Sequence, residues 1–105
     1  MPEQNPLTLF YLINHYLGRE LYFHFLEVMN EKDKPVRLGE IRRELYNKNT
    51  RFDELRIRYI AEKLVKLGLL SKFKEGHKAY YLITPLGIKV LKIAKAERFR
   101  WAREP

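Results

Sequence analysis

The chain has 105 residues, no cysteine, and 21 lysines and arginines against 13 aspartates and glutamates, for a net charge of +8. That length suits one domain able to bury about two-thirds of its unfolded surface. The lack of cysteine excludes disulfides, thiolate zinc sites and cysteine nucleophiles, and it fits a reducing cytoplasm. The charge is uneven. Residues 1–33 carry two basic side chains against five acidic ones, a net −3, and the remainder carries nineteen against eight, a net +11. A basic body joined to a slightly acidic N-terminal part suggests one side that faces a polyanion and another that faces something else.

Asn5-Pro6 reads as N-cap and first position of a helix over 6–17. Leu7, Phe10, Ile13, Asn14 and Leu17 form one stripe, and Leu9, Leu12 and Tyr16 form a second. A helix apolar on more than one side is buried or shared with a partner. It is too short and too polar to span a bilayer, and the N-terminus lacks the basic region of a signal peptide. Gly18 is the expected stop, with one long helix to Met29 as the alternative. A second helix spans 19–30, and Pro35 ends the polar loop after it. Residues 36–38 leave room for one small strand, 39–46 form a short helix, and 47–50 are a turn cluster.

The stretch 53–70, DELRIRYIAEKLVKLGLL, carries the strongest pattern. Ile57, Ile60, Ala61, Leu64 and Leu67 make one apolar stripe at helical spacing, Asp53 suits the N-cap, and Gly68 suits the C′ position, where φ is positive. Opposite that stripe stand Arg56, Arg58 and Tyr59. A helix with basic donors in its opening turns suits a DNA major groove; the same composition also describes a solvated surface helix. The period then becomes two, and two alternating runs around Glu75-Gly76-His77-Lys78 read as a β-hairpin over 69–83. Tyr81 and Ile83 are expected to cover the core, with Lys72, Lys74 and Lys78 hanging out on the ribbon. Thr84-Pro85 starts a last helix over 85–101, whose other face carries Lys89, Lys92, Lys95 and Arg98.

Leu64-x-x-x-Gly68-Leu69-Leu70, a basic hairpin, and Tyr80-Tyr81-Leu82-Ile83-Thr84-Pro85-x-Gly87 together resemble the MarR, PadR and ArsR-like winged-helix regulators over about residues 19–95. Ile83 stands where that pattern usually has Leu. The resemblance implies a mainly α winged helix-turn-helix with a β-hairpin wing and extra terminal helices, organised as one domain: an N-terminal helix 6–17, a winged-helix core 19–83 and a C-terminal helix 84–101. It also implies homodimeric binding of double-stranded DNA, with Asp53 capping the recognition helix and Arg56, Arg58 and Tyr59 at the reading positions. On that reading Lys48, Arg51, Lys72, Lys74, His77 and Lys78 meet phosphates. The dimer interface draws on Leu7, Phe10, Tyr11, Ile13, Leu17, Leu91 and Trp101.

Competing chemistry is thin. His15, His24 and His77 are too scattered for a metal site, no glycine-rich phosphate loop occurs, and Ser71 is the only serine. The chain reads as a non-enzyme without cofactor or metal, cytoplasmic and associated with the nucleoid, with no membrane partner. The aromatic wealth of the first two helices reads first as core and second as room for a small-molecule effector. Lys, Glu, Leu and Ile without Cys also fit a thermophilic or archaeal composition. A sequence-specific regulator is the leading function. The alternatives are an architectural chromatin protein with little sequence preference, and a winged helix used for protein–protein contact.

Overall fold

The computed structural model describes residues 5–17, 19–47 and 54–103. Asn5 caps the first helix as its position before Pro6 requires. Its Oδ1 accepts the Leu7 N–H at 2.8 Å, and α1 runs over Pro6–Leu12. The expected helix to Leu17 continues, but Ile13–Leu17 is wound as a π-helical turn. The helix α2 follows at Arg19–Lys32, two residues longer than the sequence pattern suggests. Then come α3 (Leu38–Asn47), α4 (Glu54–Lys66), β1 (Leu70–Glu75), β2 (Lys78–Ile83) and α5 (Pro85–Arg103). Gly18, Lys48, Arg51, Asp53 and the turn cluster after Asn47 lie outside the described residues, as do the side chains of Arg98 and Trp101.

The core forms where the apolar stripes of these helices converge. Phe25, Leu26, Val28 and Met29 of α2 are fully buried, together with Ile41 of α3 and Ala61 and Leu64 of α4. Each large side chain removed from water in this way contributes about 1.5–3 kcal/mol. Phe10 stacks on Phe23 with ring centroids 5.7 Å apart, fixing α1 on α2. On α5, Val90, Leu91 and Ala94 are buried, and the helix packs on α1 and α2. Lys32 of α2 pairs with Glu44 of α3 at 3.2 Å, a half-exposed bridge of small energetic weight.

The two strands are antiparallel, with Leu70 opposite Ile83, Lys72 opposite Tyr81 and Glu75 opposite Lys78. Gly76 occupies the turn with φ of 65°, a value that glycine adopts without penalty. The short strand expected before α3 is a single bridge. Val36 N–H donates to Tyr81 O at 2.9 Å, and Tyr81 N–H donates to Val36 O at 2.8 Å. Tyr81 is therefore the residue at which the segment ahead of α3 is tied to the two-stranded wing.

The junction between α4, the hairpin and α5 explains the two sequence motifs. Gly68 takes φ of 79° and turns the chain sharply out of α4, and the Leu69 N–H donates back to Leu64 O at 2.9 Å. Thr84 N–H then donates to Leu69 O at 3.0 Å, and Thr84 Oγ1 donates to Gly68 O at 2.7 Å. The same Oγ1 accepts the Gly87 N–H at 3.0 Å, capping α5. A Cβ on Gly87 would stand 2.3 Å from Leu69 O, so only glycine lets the first turn of α5 lie against the end of α4.

Candidate nucleic-acid interface

The outer face of α4 is set by its buried one. Ile57, Ile60, Ala61 and Leu64 point inward, which leaves Glu54, Leu55, Arg56, Arg58, Tyr59 and Lys66 exposed. Leu55 is 77% exposed and Tyr59 63%, so the most open part of this helix mixes apolar, aromatic and basic groups. Leu55 and Lys66 escape a reading focused on arginine. Their signal is the helical phase itself, since both lie opposite the apolar stripe.

Arg56 and Arg58 are two residues apart, and residues at that spacing lie on different sides of a helix. Arg56 and Tyr59 lie on the side facing α2, where both act electrostatically on the buried phenol of Tyr22. That phenol is pushed up mainly by burial, further by Tyr59, and is drawn back down by Arg56. Arg58 instead lines an open groove of about 800 Å³ between α4, the start of α3 and the wing. Lys34, Arg37 and Arg43 enter this groove from the α3 side, and Lys72, His77 and Tyr80 enter it from the wing. Glu40, Glu54 and Glu62 also line it, so its cations outnumber its carboxylates. Lys34, Arg37 and Arg43 were not legible as site residues. They belong to a loop and a short helix, and the Val36–Tyr81 bridge together with the packing of α3 on β2 brings them next to the wing.

The wing lysines do not act alike. Alternation places Lys72 and Lys74 on the strand face of Tyr81, and Phe73, Glu75, Lys78 and Tyr80 on the other. Phe73 and Tyr80 stack on that second face at 5.7 Å. Lys74, His77 and Lys78 are exposed, as expected of groups free to meet phosphate. Lys72 corrects the expectation. Its Nζ is 2.6 Å from Glu62 Oε1 of α4 and 5.8 Å from the centroid of the Tyr81 ring. Tyr81 Oη donates to the same Glu62 oxygen at 3.0 Å. The bond from Lys72 chiefly, assisted by that from Tyr81, holds the Glu62 carboxyl below its ordinary range. Glu62 in turn raises Lys72, and burial followed by the Glu62 bond raises Tyr81. The register that pairs Lys72 with Tyr81 cannot bring Glu62 into view; that requires the docking of α4 on the hairpin.

The terminal-helix residues also divide. Phe10, Ile13 and Leu91 are buried within the protomer and hold α1 and α5 on the core, so they offer no surface to a second chain. Leu7 is 48% exposed and Tyr11 52%, while Leu17 is half-buried. Tyr16, assigned to an apolar stripe with Leu9 and Leu12, is 81% exposed, because the buried face of this segment is Leu9, Phe10 and Ile13. His15 stacks on Tyr11 at 5.9 Å on the outer side. Among the described residues no cluster of three or more potential metal ligands occurs, and no helix is long and apolar enough to cross a membrane.

No family model matches the chain. It is 33% identical over 87 residues to the uncharacterized protein MJ0944 of Methanocaldococcus jannaschii, a match covering 78% of this chain and 68% of that protein. The chain belongs to the MJ0944 family. Its fold is that of winged-helix proteins. It is similar to RosR of H. salinarum, with a TM-score of 0.67, 18% identity, and coverage of 87% of this chain and 83% of that one. It is equally similar to a PadR family transcriptional regulator from Eggerthella lenta, with a TM-score of 0.66, 18% identity and 90% coverage of both. AF1382 from Archaeoglobus fulgidus shares the fold at a TM-score of 0.64 and 13% identity, over 88% of this chain and 98% of that one.

Proposed function

We propose that the chain is a sequence-specific, double-stranded-DNA-binding transcriptional regulator that acts as a homodimer. The observation that carries this reading is the groove beside α4, where Arg58, Lys34, Arg37 and Arg43 outnumber Glu40 and Glu54 and whose lining reaches the wing at His77. A winged helix with a basic α4 suits a major groove, where Arg56, Arg58 and Tyr59 meet base edges. Arg37, Arg43, Lys74, His77 and Lys78 hold the flanking phosphates, which position the protein without carrying sequence information. Lys48 and Arg51 belong to the same phosphate set by their place between α3 and α4 in the chain. The second copy docks on the outer side of α1, where Leu7, Tyr11 and Tyr16 leave apolar and aromatic surface open. The name of the Eggerthella protein, a transcriptional regulator, agrees with this reading.

The test is duplex binding across ionic strength, combined with selection of bound sequences from random DNA. With roughly 6–10 phosphate contacts per dimer, affinity falls on the order of a thousandfold or more between 50 and 200 mM salt. Flat affinity across that range overturns the proposal. Salt-dependent binding with no enriched sequence replaces it by an architectural role.

A further inference from the structure

One carboxylate oxygen joins the α4 helix to both strands of the wing. Glu62 Oε1 accepts from Lys72 Nζ of β1 at 2.6 Å and from Tyr81 Oη of β2 at 3.0 Å. Tyr81 is also the residue whose backbone holds Val36, just ahead of α3. Arg58, one turn before Glu62 on α4, lines the same groove. From this geometry we infer that Glu62 is a positioning residue: it fixes the pitch of the wing against α4 and withholds the Lys72 charge from phosphate.

Glu62 acts on both the orientation of the wing and its charge. A two-stranded hairpin has little stability by itself, and its orientation depends on what it packs against. Along this ribbon the side facing α4 offers Leu70, Tyr81 and Ile83 as apolar anchors near its base. Farther out on that side stands only the small, partly buried Ala79 among apolar groups, and the shared Glu62 oxygen supplies a polar attachment to α4. Charge-assisted bonds of this kind are short and directional, so they set an angle where apolar packing sets only proximity. The same contact governs charge. A lysine held by a carboxylate neutralises no phosphate, so it displaces no condensed cation from the DNA and adds nothing to the salt dependence of binding. The wing then presents Lys74, His77 and Lys78 to a polyanion while Lys72 stays with the helix. This inference rests on the DNA-binding reading for its second part and is independent of it for the first.

Four variants of the full chain test it: Glu62→Gln, Lys72→Met, the double variant Glu62→Gln/Lys72→Met, and the charge swap Glu62→Lys/Lys72→Glu. The first readout needs no DNA. In the free protein, amide exchange at residues 70–83 is expected to speed up about three- to tenfold in Glu62→Gln, the scale of one partly exposed charge-assisted bond, and to recover in the swap. Unchanged exchange overturns the positioning role. The second readout is the salt slope on random duplex. Lys72→Met leaves it at the wild-type value. Glu62→Gln releases Lys72 and steepens it by about 0.9, an extra loss of roughly 3.5-fold between 50 and 200 mM salt. The double variant returns to the wild-type slope, which separates a released Lys72 from the mere loss of a negative charge. A slope that falls by about 0.9 in Lys72→Met identifies Lys72 as an ordinary phosphate contact and overturns the withholding role. A wild-type protein that does not bind DNA removes the regulator reading and the withholding role together, and the exchange measurement still decides the positioning role.

Discussion

The hydroxyl of Thr84 donates to the carbonyl oxygen of Gly68 at 2.7 Å, so the residue that starts the last helix also closes the end of the helix before the wing. Thr84 Oγ1 simultaneously accepts the Gly87 N–H, which makes it an N-cap with a second, tertiary role. Thr84→Ala leaves a helix N–H and the Gly68 carbonyl without this partner. It is expected to lower stability by about 1–2 kcal/mol, while Thr84→Ser keeps both bonds and most of the stability. Urea unfolding of the two variants measures the difference. Equal loss in both assigns the effect to the Thr84 methyl group instead of the cap.

The two glycines of this junction are expected to differ in kind. Gly68→Ala places a Cβ in ordinary van der Waals contact with the Leu86 side chain, 3.7 Å away, but at φ of 79°. Its cost is the left-handed backbone, about 1–2 kcal/mol. Gly87→Ala drives a Cβ to 2.3 Å from the Leu69 carbonyl oxygen, a backbone atom that cannot rotate away. Separating the two elements costs about 1–3 kcal/mol or more and disturbs the base of the wing. Chemical denaturation ranks them. In addition, backbone resonances of residues 69 and 70 shift in Gly87→Ala and stay in place in Gly68→Ala.

The link between α4 and the wing has a pH window whose limits follow from its two charges. The Glu62 carboxyl lies below its ordinary value of 4.5 in the folded chain, chiefly through Lys72, so it contributes stability above that value and loses it as pH falls through the lowered one. The Lys72 ammonium lies above its ordinary value of 10.5, so its contribution is complete below that value and disappears as pH rises through the raised one. Wing amide protection is therefore expected to be flat across neutral pH and to decline at both extremes. Glu62→Gln removes the acid decline specifically at residues 70–83. An acid decline that persists there in Glu62→Gln assigns it to another carboxylate.

Much of this architecture could be read from residue order because its signals are local. Asn5-Pro6 and Thr84-Pro85 act as caps through their own side chains, and Gly68 and Gly76 answer to positive φ. The apolar stripe of α4 is a property of one helix. What the chain order hides is relational. Lys72 reads as an open wing lysine until Glu62 approaches from α4, and Arg37 and Arg43 become site residues only when Val36 pairs with Tyr81 and α3 packs on β2. The first helix misleads for another reason. Two adjacent apolar stripes leave the inward face undetermined, and the choice of Leu9, Phe10 and Ile13 over Leu7 and Tyr16 is made by packing against α2 and α5.

Base reading and phosphate holding are expected to separate by position around the groove. Arg37→Ala and Arg43→Ala remove cations next to the wing without touching α4. Each should weaken preferred and random duplexes by the same factor and reduce the salt slope by about one unit. Arg56→Ala and Arg58→Ala act on the helix that enters the major groove, where a good arginine–guanine pair is worth about 1–3 kcal/mol of discrimination. They should cost more on the preferred site than on random DNA. Fluorescence titrations at three salt concentrations give both quantities. Equal factors on both duplexes for all four variants favour the architectural role.

The terminal helices allow assembly to be told apart from folding. Phe10 is 5% exposed and stacks on Phe23, and Leu91 is 1% exposed. Phe10→Ala and Leu91→Ala are expected to destabilise each protomer, by about 3–5 and 2–5 kcal/mol respectively, whatever the oligomeric state. Tyr11 and Tyr16 stand 52% and 81% exposed on the outer side of the same segment, so their replacement removes the edge contact of Tyr11 on Phe10 but no buried side chain. If a second copy covers that side, the double variant Tyr11→Glu/Tyr16→Glu places unpaired charges in the interface and shifts the protein to monomer at micromolar concentration, while the monomer stays folded with a cooperative urea transition that no longer depends on protein concentration. Sedimentation equilibrium distinguishes the states. A wild-type protein that sediments as a monomer, or a double variant that remains a dimer, removes the outer side of α1 as the interface and leaves its tyrosines solvated.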